Sequence, residues 1–314
     1  MEVFHKLDQV PADFGPTILS IGNFDGVHRA HRHVLDEIVR RAKQSGAKSV
    51  AVTFEPHPIR ILRPDSGLKL LTPTSEKLRL LEACGMDATL LIPFTRDLSL
   101  MTPHHFAHDI LKKCLHAREI HEGYNFHFGH KAEGDVEMLA TFGQEMGFEV
   151  KTYPEMKLRG ESVSSSHIRK LLQAGGVSRA RHLLGRPFSI LSTPGRGRGF
   201  GSKYTVPTIN LSRYEELIPK DGVYITRTRV GQECFDSVTN VGNRPTFGAD
   251  SFAIETHLLN FHPIELTADT EVELHFLNRL RDEIKFPSVE ALRAQIGKDV
   301  TKAGRYLQLL KAKS

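Results

Sequence analysis

Residues 17–31 read TILSIGNFDGVHRAH, and this stretch decides the fold of the first half of the chain. Its first part, Thr17 to Gly22, is a short apolar run typical of a buried strand. From His31 to Lys43 the apolar residues recur at helical spacing, which predicts an amphipathic helix. A strand, a glycine-containing loop and a helix in this order begin a β-α-β unit. The sequence therefore favours a parallel sheet covered by helices.

The same alternation continues to about residue 153. Two short helices are expected after it, and Gly185-Arg186-Pro187 then breaks the pattern, so we place a domain boundary there. We predict a doubly wound, Rossmann-like α/β domain over residues 1–185. Its predicted elements are strands at 17–22, 48–54, 88–92, 118–124 and 148–153, and helices at 31–43, 75–83, 133–146, 167–173 and 178–184.

The second half of the sequence, residues 186–314, has a different rhythm. Strand-like runs follow one another with turn residues and no helices between them, which is typical of an antiparallel sheet or a small barrel. Helical sequence comes last, and Ser288 and Asp299 are each expected to cap the start of a helix. The strand-like runs are 221–230, 234–241, 251–260 and 271–276.

Composition and charge exclude several classes of protein. The chain has 314 residues, of which 39% are hydrophobic and 25% charged, and this is the profile of a soluble protein with about two domains. No apolar run is long enough to cross a bilayer, and the first residues lack the apolar core of a signal peptide. The three cysteines are far apart and are expected to be reduced, so we expect a cytoplasmic protein. The net charge of +5 is small and scattered, and we expect neither a nucleic-acid partner nor a membrane partner.

The loop between the first strand and the first helix predicts a phosphate site. Gly22 and Gly26 allow the backbone to approach an anion closely, and the helix N-terminus adds N–H groups and a positive dipole. His28 and His31 are three residues apart, so both can point at one phosphate and stabilise the charge that develops in nucleotidyl transfer. The chain has 17 histidines, and a surface pair or half of a metal site is the alternative interpretation.

A second candidate site begins with the Gly/Arg-rich stretch 195–201, which is either a loop that wraps a polyphosphate or a flexible linker. In the following Pro207-Thr208-Ile209-Asn210, Thr208 and Asn210 project to the same side of an extended segment. Both offer oxygen ligands of the kind that Mg²⁺ prefers. Glu255 lies in the apolar strand 252–259, where a carboxylate is costly to bury without a partner. The alternative is a glutamate on the solvent face of that strand.

Several motifs resemble those of the bacterial bifunctional riboflavin kinase/FAD synthetase family. Four lie in the first half: GNFDGVHRAH at 22–31, TFEPHP at 53–58, GYNFHFG at 123–129 and SSSHIR at 164–169. In the second half, PTIN at 207–210 resembles the PTAN motif of riboflavin kinases, and Glu255 matches the catalytic glutamate of that family. The resemblance extends from about residue 18 to residue 300.

The resemblance implies both a fold and two activities. The fold is a doubly wound nucleotidyltransferase domain followed by a six-stranded antiparallel β-barrel with terminal helices. The C-terminal domain would phosphorylate riboflavin with MgATP to give FMN, and the N-terminal domain would transfer the adenylyl group of ATP to FMN, giving FAD and pyrophosphate. ATP, riboflavin and FMN are then the substrates, and Mg²⁺ is the cofactor. We expect a monomer or a weak homo-oligomer.

The resemblance also implies residue roles. The catalytic residues would be His28, His31 and Arg169 in the first domain and, in the second, Glu255 as the general base that takes the proton of the riboflavin 5′-hydroxyl. Arg281 and Phe286 would hold the flavin, and Thr208 and Asn210 would bind the metal. The residues expected to bind ATP or its phosphates are Gly22, Asn23, Phe24, Asp25, Gly26, Asn125, Ser164, Ser165, Gly199, Gly201, Thr208 and Asn210.

The sequence departs from the family pattern at Ala30, Thr205 and Ile209, and the family's LYG-like segment after the Glu255 strand is absent. Ala30 places a methyl group in the first helical turn, where the family has glycine. Three alternatives therefore stay open: a chain with only one of the two activities, a nucleotidyltransferase of the pantetheine-phosphate or cytidylyl type, and a flavin- or nucleotide-sensing module that binds nucleic acid. The second alternative leaves PTIN and Glu255 unexplained.

Overall fold

The computed structural model describes residues 1–195, 208–243, 252–262 and 266–312. The chain forms two compact units, Met1–Ser165 and Ser166–Ser314, which we call the first unit and the second unit. The division lies before the two short helices that precede residue 185, so these helices belong almost entirely to the second unit. We predicted that the two activities are divided between residues 1–185 and 186–314, and this division stays a prediction.

A six-stranded parallel sheet forms the centre of the first unit, as the alternating pattern predicts. The strands are β1 (Glu2–Phe4), β2 (Thr17–Ile21), β3 (Lys48–Glu55), β4 (Ala88–Pro93), β5 (Ala117–Gly123), β6 (His127–Phe128), β7 (Gly134–Asp135), β8 (Glu149–Tyr153), β9 (Lys157–Leu158) and β10 (Glu161–Ser162). The sheet has the order β1-β4-β3-β2-β5-β8, while β6–β7 and β9–β10 form two short ribbons. The strand order reverses between β2 and β5, and in open α/β sheets ligands bind at such a switch point.

Helices cover both faces of this sheet because alternate residues of its inner strands are buried in two separate apolar clusters. Ile18 and Ala51 pack with Leu35 and Ile38 of the first helix, whereas Leu19 belongs to the cluster on the other face. The fold is thus doubly wound, as predicted. The helices are α1 (Arg29–Ser45), α2 (Pro58–Leu62), α3 (Thr74–Ala83), α4 (Arg96–Ser99), α5 (Pro103–His105), which continues into a π-helical segment (Phe106–Cys114), and α6 (Val136–Met146).

The second unit contains a six-stranded antiparallel sheet, which confirms the predicted class. Its elements are α7 (Ser165–Gln173), α8 (Val177–Leu184), β11 (Phe188–Ser192), β12 (Thr208–Asn210), β13 (Gly222–Val230), β14 (Glu233–Asn243), β15 (Phe252–Leu258), β16 (Val272–Arg281) and α9 (Val289–Lys311). The order is β11-β16-β13-β14-β15-β12. The two edge strands meet just beyond their ends, where the N–H of Ser212 donates to the carbonyl of Thr193 at 2.8 Å and Pro194 bridges to Leu211. These contacts join the two edges of the sheet into a barrel.

One predicted helix boundary is wrong. Ser288 caps α9 as expected, since its side chain accepts the N–H of Ala291. Asp299 does not begin another helix but lies buried in the middle of α9. Its carboxylate accepts hydrogen bonds from the Arg281 guanidinium at 2.8 and 3.0 Å and from Gln295 at 2.9 Å. These bonds, two of which come from Arg281 on β16, occupy the side chain that would otherwise cap a helix.

The interior of the barrel contains a cluster of buried hydroxyl groups. Thr226 bonds Ser237 at 2.8 Å and Thr239 at 2.7 Å, and Thr239 donates to Thr256 at 2.9 Å. Thr228 completes the cluster through bonds to Ser237 and Thr256. All five side chains are fully buried. Because each hydroxyl both donates and accepts, the cluster ties together the three neighbouring strands β13, β14 and β15.

Candidate active sites

The loop from Gly22 to His28 leaves the end of β2 and enters α1 at the switch point of the sheet. It has an unusual backbone, because Phe24 and Val27 have φ angles of 47° and 36°, in the left-handed region that residues other than glycine rarely adopt. Gly26, with a φ of 87°, is the glycine for which the same region is unstrained. A strained loop of this kind persists only when its surroundings hold it in place.

Buried polar contacts hold the loop. The Asp25 carboxylate accepts the backbone N–H groups of Leu71 at 2.8 Å and Thr72 at 3.1 Å. The N–H of Gly26 donates to the Thr72 hydroxyl at 3.0 Å, and the Ser165 hydroxyl donates to the carbonyl of Asp25 at 2.8 Å. The structure thus brings the predicted site residues Asp25 and Ser165 together. It also shows that Asp25 anchors the loop with its side chain.

His28 and His31 lie face to face at the start of α1. Their ring centroids are 3.7 Å apart with an angle of 14° between the planes. Nδ1 of His28 accepts the backbone N–H of His31 at 3.4 Å, so His28 caps the helix and its neutral form carries the ring proton on Nε2. Burial and, secondly, the nearby His28 hold the pKa of His31 well below its ordinary value. The His31 ring is therefore suited to act as a neutral hydrogen-bond donor at neutral pH.

His31 has a shielded nitrogen that the fold does not use. Its Nδ1 is buried and has no hydrogen-bond partner within the described part of the chain. The ring of Phe24 packs edge-on against His31, with 5.3 Å between the ring centroids. Phe24 is itself buried, so it supports the His31 ring from within the unit. An orphaned buried nitrogen in the first helical turn after a strained loop is an arrangement expected of a ligand site.

The other predicted residues of the first site occupy the following positions. Asn23 is exposed next to Gly22, and Asn125 is exposed just beyond β5, the strand on the other side of the switch point. Ser164 is half-buried beside Ser165. Arg169 lies on α7, in the second unit, where it is half-buried.

Glu122 is a residue of this region that sequence reasoning missed. It is buried at the end of β5, and its carboxyl accepts the N–H of Ile21, the last residue of β2, at 2.5 Å. Burial raises the pKa of Glu122 well above its ordinary value, although hydrogen bonds from Ile21 and Ser20 oppose the shift. The sequence signal that could have identified Glu122 is a charged residue in an inner strand of the sheet. Glu122 fixes the strand end from which the loop departs.

In the second unit, the site residues are aligned by strand pairing. Asn210 on β12 lies opposite Glu255 on β15, and Glu255 lies opposite Asn240 on β14. Directly opposed residues share one face of a sheet, so these three side chains form a row across three strands. Thr208 shares this face because it is two residues from Asn210. The structure therefore brings together the predicted residues Thr208, Asn210 and Glu255, and it adds Asn240.

The sequence departure at Ile209 lies away from this row. The Ile209 side chain is 5% exposed and points into the barrel, on the face opposite to Thr208 and Asn210.

The predicted flavin-binding residues Arg281 and Phe286 lie together, with the guanidinium carbon of Arg281 5.8 Å from the Phe286 ring centroid. Arg281 also pairs with Asp299. Gly199, Gly201 and the departure at Thr205 lie outside the described residues.

Within the described ranges, every helix is too short or too polar to serve as a membrane-spanning segment.

The fold and the two sites define a class: a transferase that combines a nucleotidyltransferase-like α/β unit with a small β-barrel. Comparison with known proteins supports this class. The family model for FAD synthetase matches residues 10–167, and the model for riboflavin kinase matches residues 184–307.

Curated relatives match over nearly the whole chain. The bifunctional riboflavin kinase/FMN adenylyltransferase of Escherichia coli K12 is 32% identical over 308 residues, which cover 98% of this chain and 97% of the relative. The protein of the same name from Pseudomonas fluorescens is also 32% identical, covering 96% and 97% of the two chains. The chain belongs to the family of bifunctional riboflavin kinases/FMN adenylyltransferases, enzymes of flavin cofactor biosynthesis.

A solved structure also shares the fold. It is a crystal structure described as a macrolide-efflux protein from Streptococcus pneumoniae, with a TM-score of 0.86. It is 24% identical and covers 95% of this chain and 97% of its own. At this identity the likeness supports the two-unit architecture alone.

Proposed function

We propose that the second unit phosphorylates riboflavin with MgATP and that the first unit then joins FMN to the adenylyl group of a second ATP. In the kinase step, Glu255 takes the proton of the riboflavin 5′-hydroxyl, whose oxygen attacks the γ-phosphorus as ADP leaves. In the second step, an oxygen of the FMN phosphate attacks the α-phosphorus of ATP as pyrophosphate leaves. We assign residues 1–185 to the second step and residues 186–314 to the first.

One observation supports the kinase assignment most strongly. Two motifs that are 45 residues apart in sequence, PTIN and the Glu255 strand, become direct neighbours because Asn210 pairs with Glu255. This places a carboxylate base beside two neutral oxygen donors, the hydroxyl of Thr208 and the amide oxygen of Asn210. Hard oxygen ligands that supplement substrate phosphates are the type that Mg²⁺ prefers, so this donor set fits the metal.

For adenylyl transfer, the stacked histidines provide the corresponding support. We propose that His28 and His31 donate hydrogen bonds to the phosphate oxygens of ATP on which charge develops in the transition state. The other residues proposed to contact ATP are Asn23, Asn125, Ser164, Ser165 and Arg169. Arg281 and Phe286 are proposed as flavin contacts of the kinase, with the Asp299 pair fixing the Arg281 guanidinium.

The remaining parts of the proposal concern the surroundings of the enzyme. Cys84, Cys114 and Cys234 are free thiols, which supports a reducing compartment such as the cytoplasm. Small molecules are the proposed partners, without nucleic acid or membrane. A monomer or a weak homo-oligomer stays a prediction, which size-exclusion chromatography with light scattering tests.

The test is a time course with purified protein. Riboflavin, ATP and Mg²⁺ are supplied and the three flavins are separated by chromatography, and the assay is repeated with FMN as the starting flavin and with EDTA in place of Mg²⁺. We expect FMN first and FAD afterwards, and no conversion with EDTA. If FMN accumulates without FAD, the adenylyltransferase assignment is wrong. If FAD forms only from supplied FMN, the kinase assignment is wrong.

A further inference from the structure

A buried lysine lies under the loop of the first site. Lys77, in the first turns of α3, is 6% exposed. Its ammonium donates to the Thr53 hydroxyl at 3.1 Å and to the carbonyl of Phe54 at 3.3 Å, both at the end of β3. The Thr53 hydroxyl in turn donates to the carbonyl of Asn23 at 3.4 Å. A chain of hydrogen bonds thus runs from Lys77 to the loop.

The chemistry of the three groups allows this series of hydrogen bonds to run in only one direction. An ammonium group can only donate, and a carbonyl oxygen can only accept. The Thr53 hydroxyl therefore accepts from Lys77 and gives its single proton to Asn23. Hydrogen bonds in such a series polarise one another, and the positive charge at the start strengthens this effect. The orientation of the Asn23–Phe24 peptide is thereby fixed.

This peptide lies at the strained part of the loop. Phe24, the next residue, has the φ angle of 47°, and its ring supports His31. The segment that carries Lys77 also provides the other contacts to the loop, since Leu71 and Thr72 bind Asp25 and Gly26. One short stretch of chain, residues 71–77, therefore holds each of the residues 23, 25 and 26.

Keeping a charge at this position is costly. Burial lowers the pKa of Lys77 from its ordinary value, and attraction to the carboxylates of Glu55 and Asp25 opposes the shift. The ammonium donates to two neutral oxygens, the hydroxyl of Thr53 and the carbonyl of Phe54. A methionine would fill similar space without this cost, so packing alone does not explain a lysine.

We propose that Lys77 is a positioning residue for adenylyl transfer, which acts through Thr53 to hold the Asn23–Phe24 peptide and with it the stacked histidines. This inference rests on the proposed adenylyltransferase function of the first unit. It assigns Lys77 no contact with substrate. Lys77 acts on the geometry of the loop at the moment of adenylyl transfer.

The test uses Lys77→Met, Thr53→Val, Thr53→Ser and the double variant Lys77→Met/Thr53→Val in the full chain. We expect Lys77→Met to lower kcat for FMN adenylylation by about 10- to 100-fold, the size of loss that small misplacements cause, with a much smaller change in KM for ATP. Thr53→Val should also lower kcat and Thr53→Ser should not. The double variant should lose no more than the more damaging of the two single variants, because the two residues act in series. Lys48→Met is the matched control, since Lys48 is exposed at the opposite end of β3.

The riboflavin kinase rate of each variant shows that the second unit is intact. If Lys77→Met keeps the full adenylylation rate, raises only KM for ATP, or adds its loss independently to that of Thr53→Val, the inference is overturned. Should Lys77→Met fail to fold in the first unit, equal adenylylation rates in Thr53→Val and Thr53→Ser would overturn the inference, because Lys77 is proposed to act through the Thr53 hydroxyl.

A second readout separates this inference from the proposed function. Amide hydrogen exchange in residues 22–28 should be faster in Lys77→Met than in the parent chain and unchanged in Lys48→Met. If the parent chain makes no FAD from FMN, the adenylyltransferase proposal fails, whereas the exchange experiment still shows whether Lys77 holds the loop. Unchanged exchange in Lys77→Met would overturn the inference even with an active parent.

Discussion

The two units position their site residues in different ways. In the first unit, the site is a strained loop at a switch point, and side chains from distant segments hold it through buried hydrogen bonds. In the second unit, the site residues lie on paired strands, and backbone register alone sets Asn210, Glu255 and Asn240 side by side. The first site depends on a few specific polar contacts, whereas the second depends on the integrity of a sheet.

This difference has a consequence for substitutions near the sites. Changing a buried polar residue near the loop should alter catalysis while leaving most of the first unit folded. Changing a residue inside the barrel should alter stability first, because the row of site residues is an outcome of the whole sheet.

The largest effect is expected for Glu255→Gln. The amide has nearly the same shape but cannot take a proton, so the riboflavin kinase rate should fall by about 10²- to 10⁴-fold. Adenylylation of supplied FMN should be unchanged, because that site lies in the other unit. Both rates are measured by flavin chromatography, with Glu271→Gln, an exposed glutamate of the same unit, as the control. A kinase rate within a few-fold of the parent would remove Glu255 from the role of base.

The next largest effect is expected for His28→Asn. Asparagine is a good helix cap and can still accept the N–H of His31, so this variant removes the imidazole and keeps the start of α1. We expect FMN adenylylation to fall by about 10²- to 10³-fold and the kinase rate to stay the same. His33→Asn, an exposed histidine on the same helix, is the control. Equal losses in both variants would mean that the helix, and not the His28 ring, is responsible.

A smaller effect, on stability, is expected for Thr239→Val. The change removes the hydroxyl that joins Thr226 and Thr256 in the barrel interior and leaves both with one partner fewer. We expect the second unit to lose about 1–3 kcal/mol of unfolding free energy, measured by urea denaturation with kinase activity as the probe. Thr239→Ser keeps the hydroxyl and should lose less. Equal losses in the two variants would show that packing of the methyl group matters more than the hydrogen bonds.

The smallest effect is expected for Ala30→Gly, which restores the glycine of the family. Ala30 is half-buried in the first turn of α1. Glycine there should lower the stability of the first unit by at most about 0.5–1 kcal/mol. Removing the methyl group should raise the adenylylation rate slightly, since it opens space near the helix N-terminus. Thermal unfolding and the FMN assay measure the two effects, and a fall in rate would show that the methyl group does not crowd the site.

The fold follows from sequence periodicity where that periodicity is strong. The strand at 17–22, the helix at 31–43 and the antiparallel runs of the second half are all present. Their ends agree within two residues, except that the run predicted at 271–276 continues to Arg281. Asp299 was assigned wrongly because its local pattern is that of a cap, whereas its partner Arg281 is 18 residues away. The short edge strand β1 gave no signal, because three residues are too few to show a period.

The sites were predictable only in part. Motifs identify His28, His31, Asn210 and Glu255 because these residues belong to recognisable local patterns. Nothing in the local sequence shows that Leu71 and Thr72 bind Asp25, or that Lys77 reaches Thr53, because these contacts join segments from different strands and helices. Likewise, the alignment of Asn210 with Glu255 is a matter of register, which the completed sheet determines.

The order of strands in the barrel bears on how the chain is made. Among the described strands, β11 forms its ladder with β16, so the first strand of the second unit waits for the last strand before this ladder can form, and α9 then covers the outer face. The first unit is complete at residue 165, and β16 ends at residue 281. At about 5–20 residues per second, a ribosome needs roughly 6–23 s to make the residues between them. During that interval the adenylyltransferase half can fold, while β11 remains an unpaired strand on the nascent chain and requires protection from aggregation.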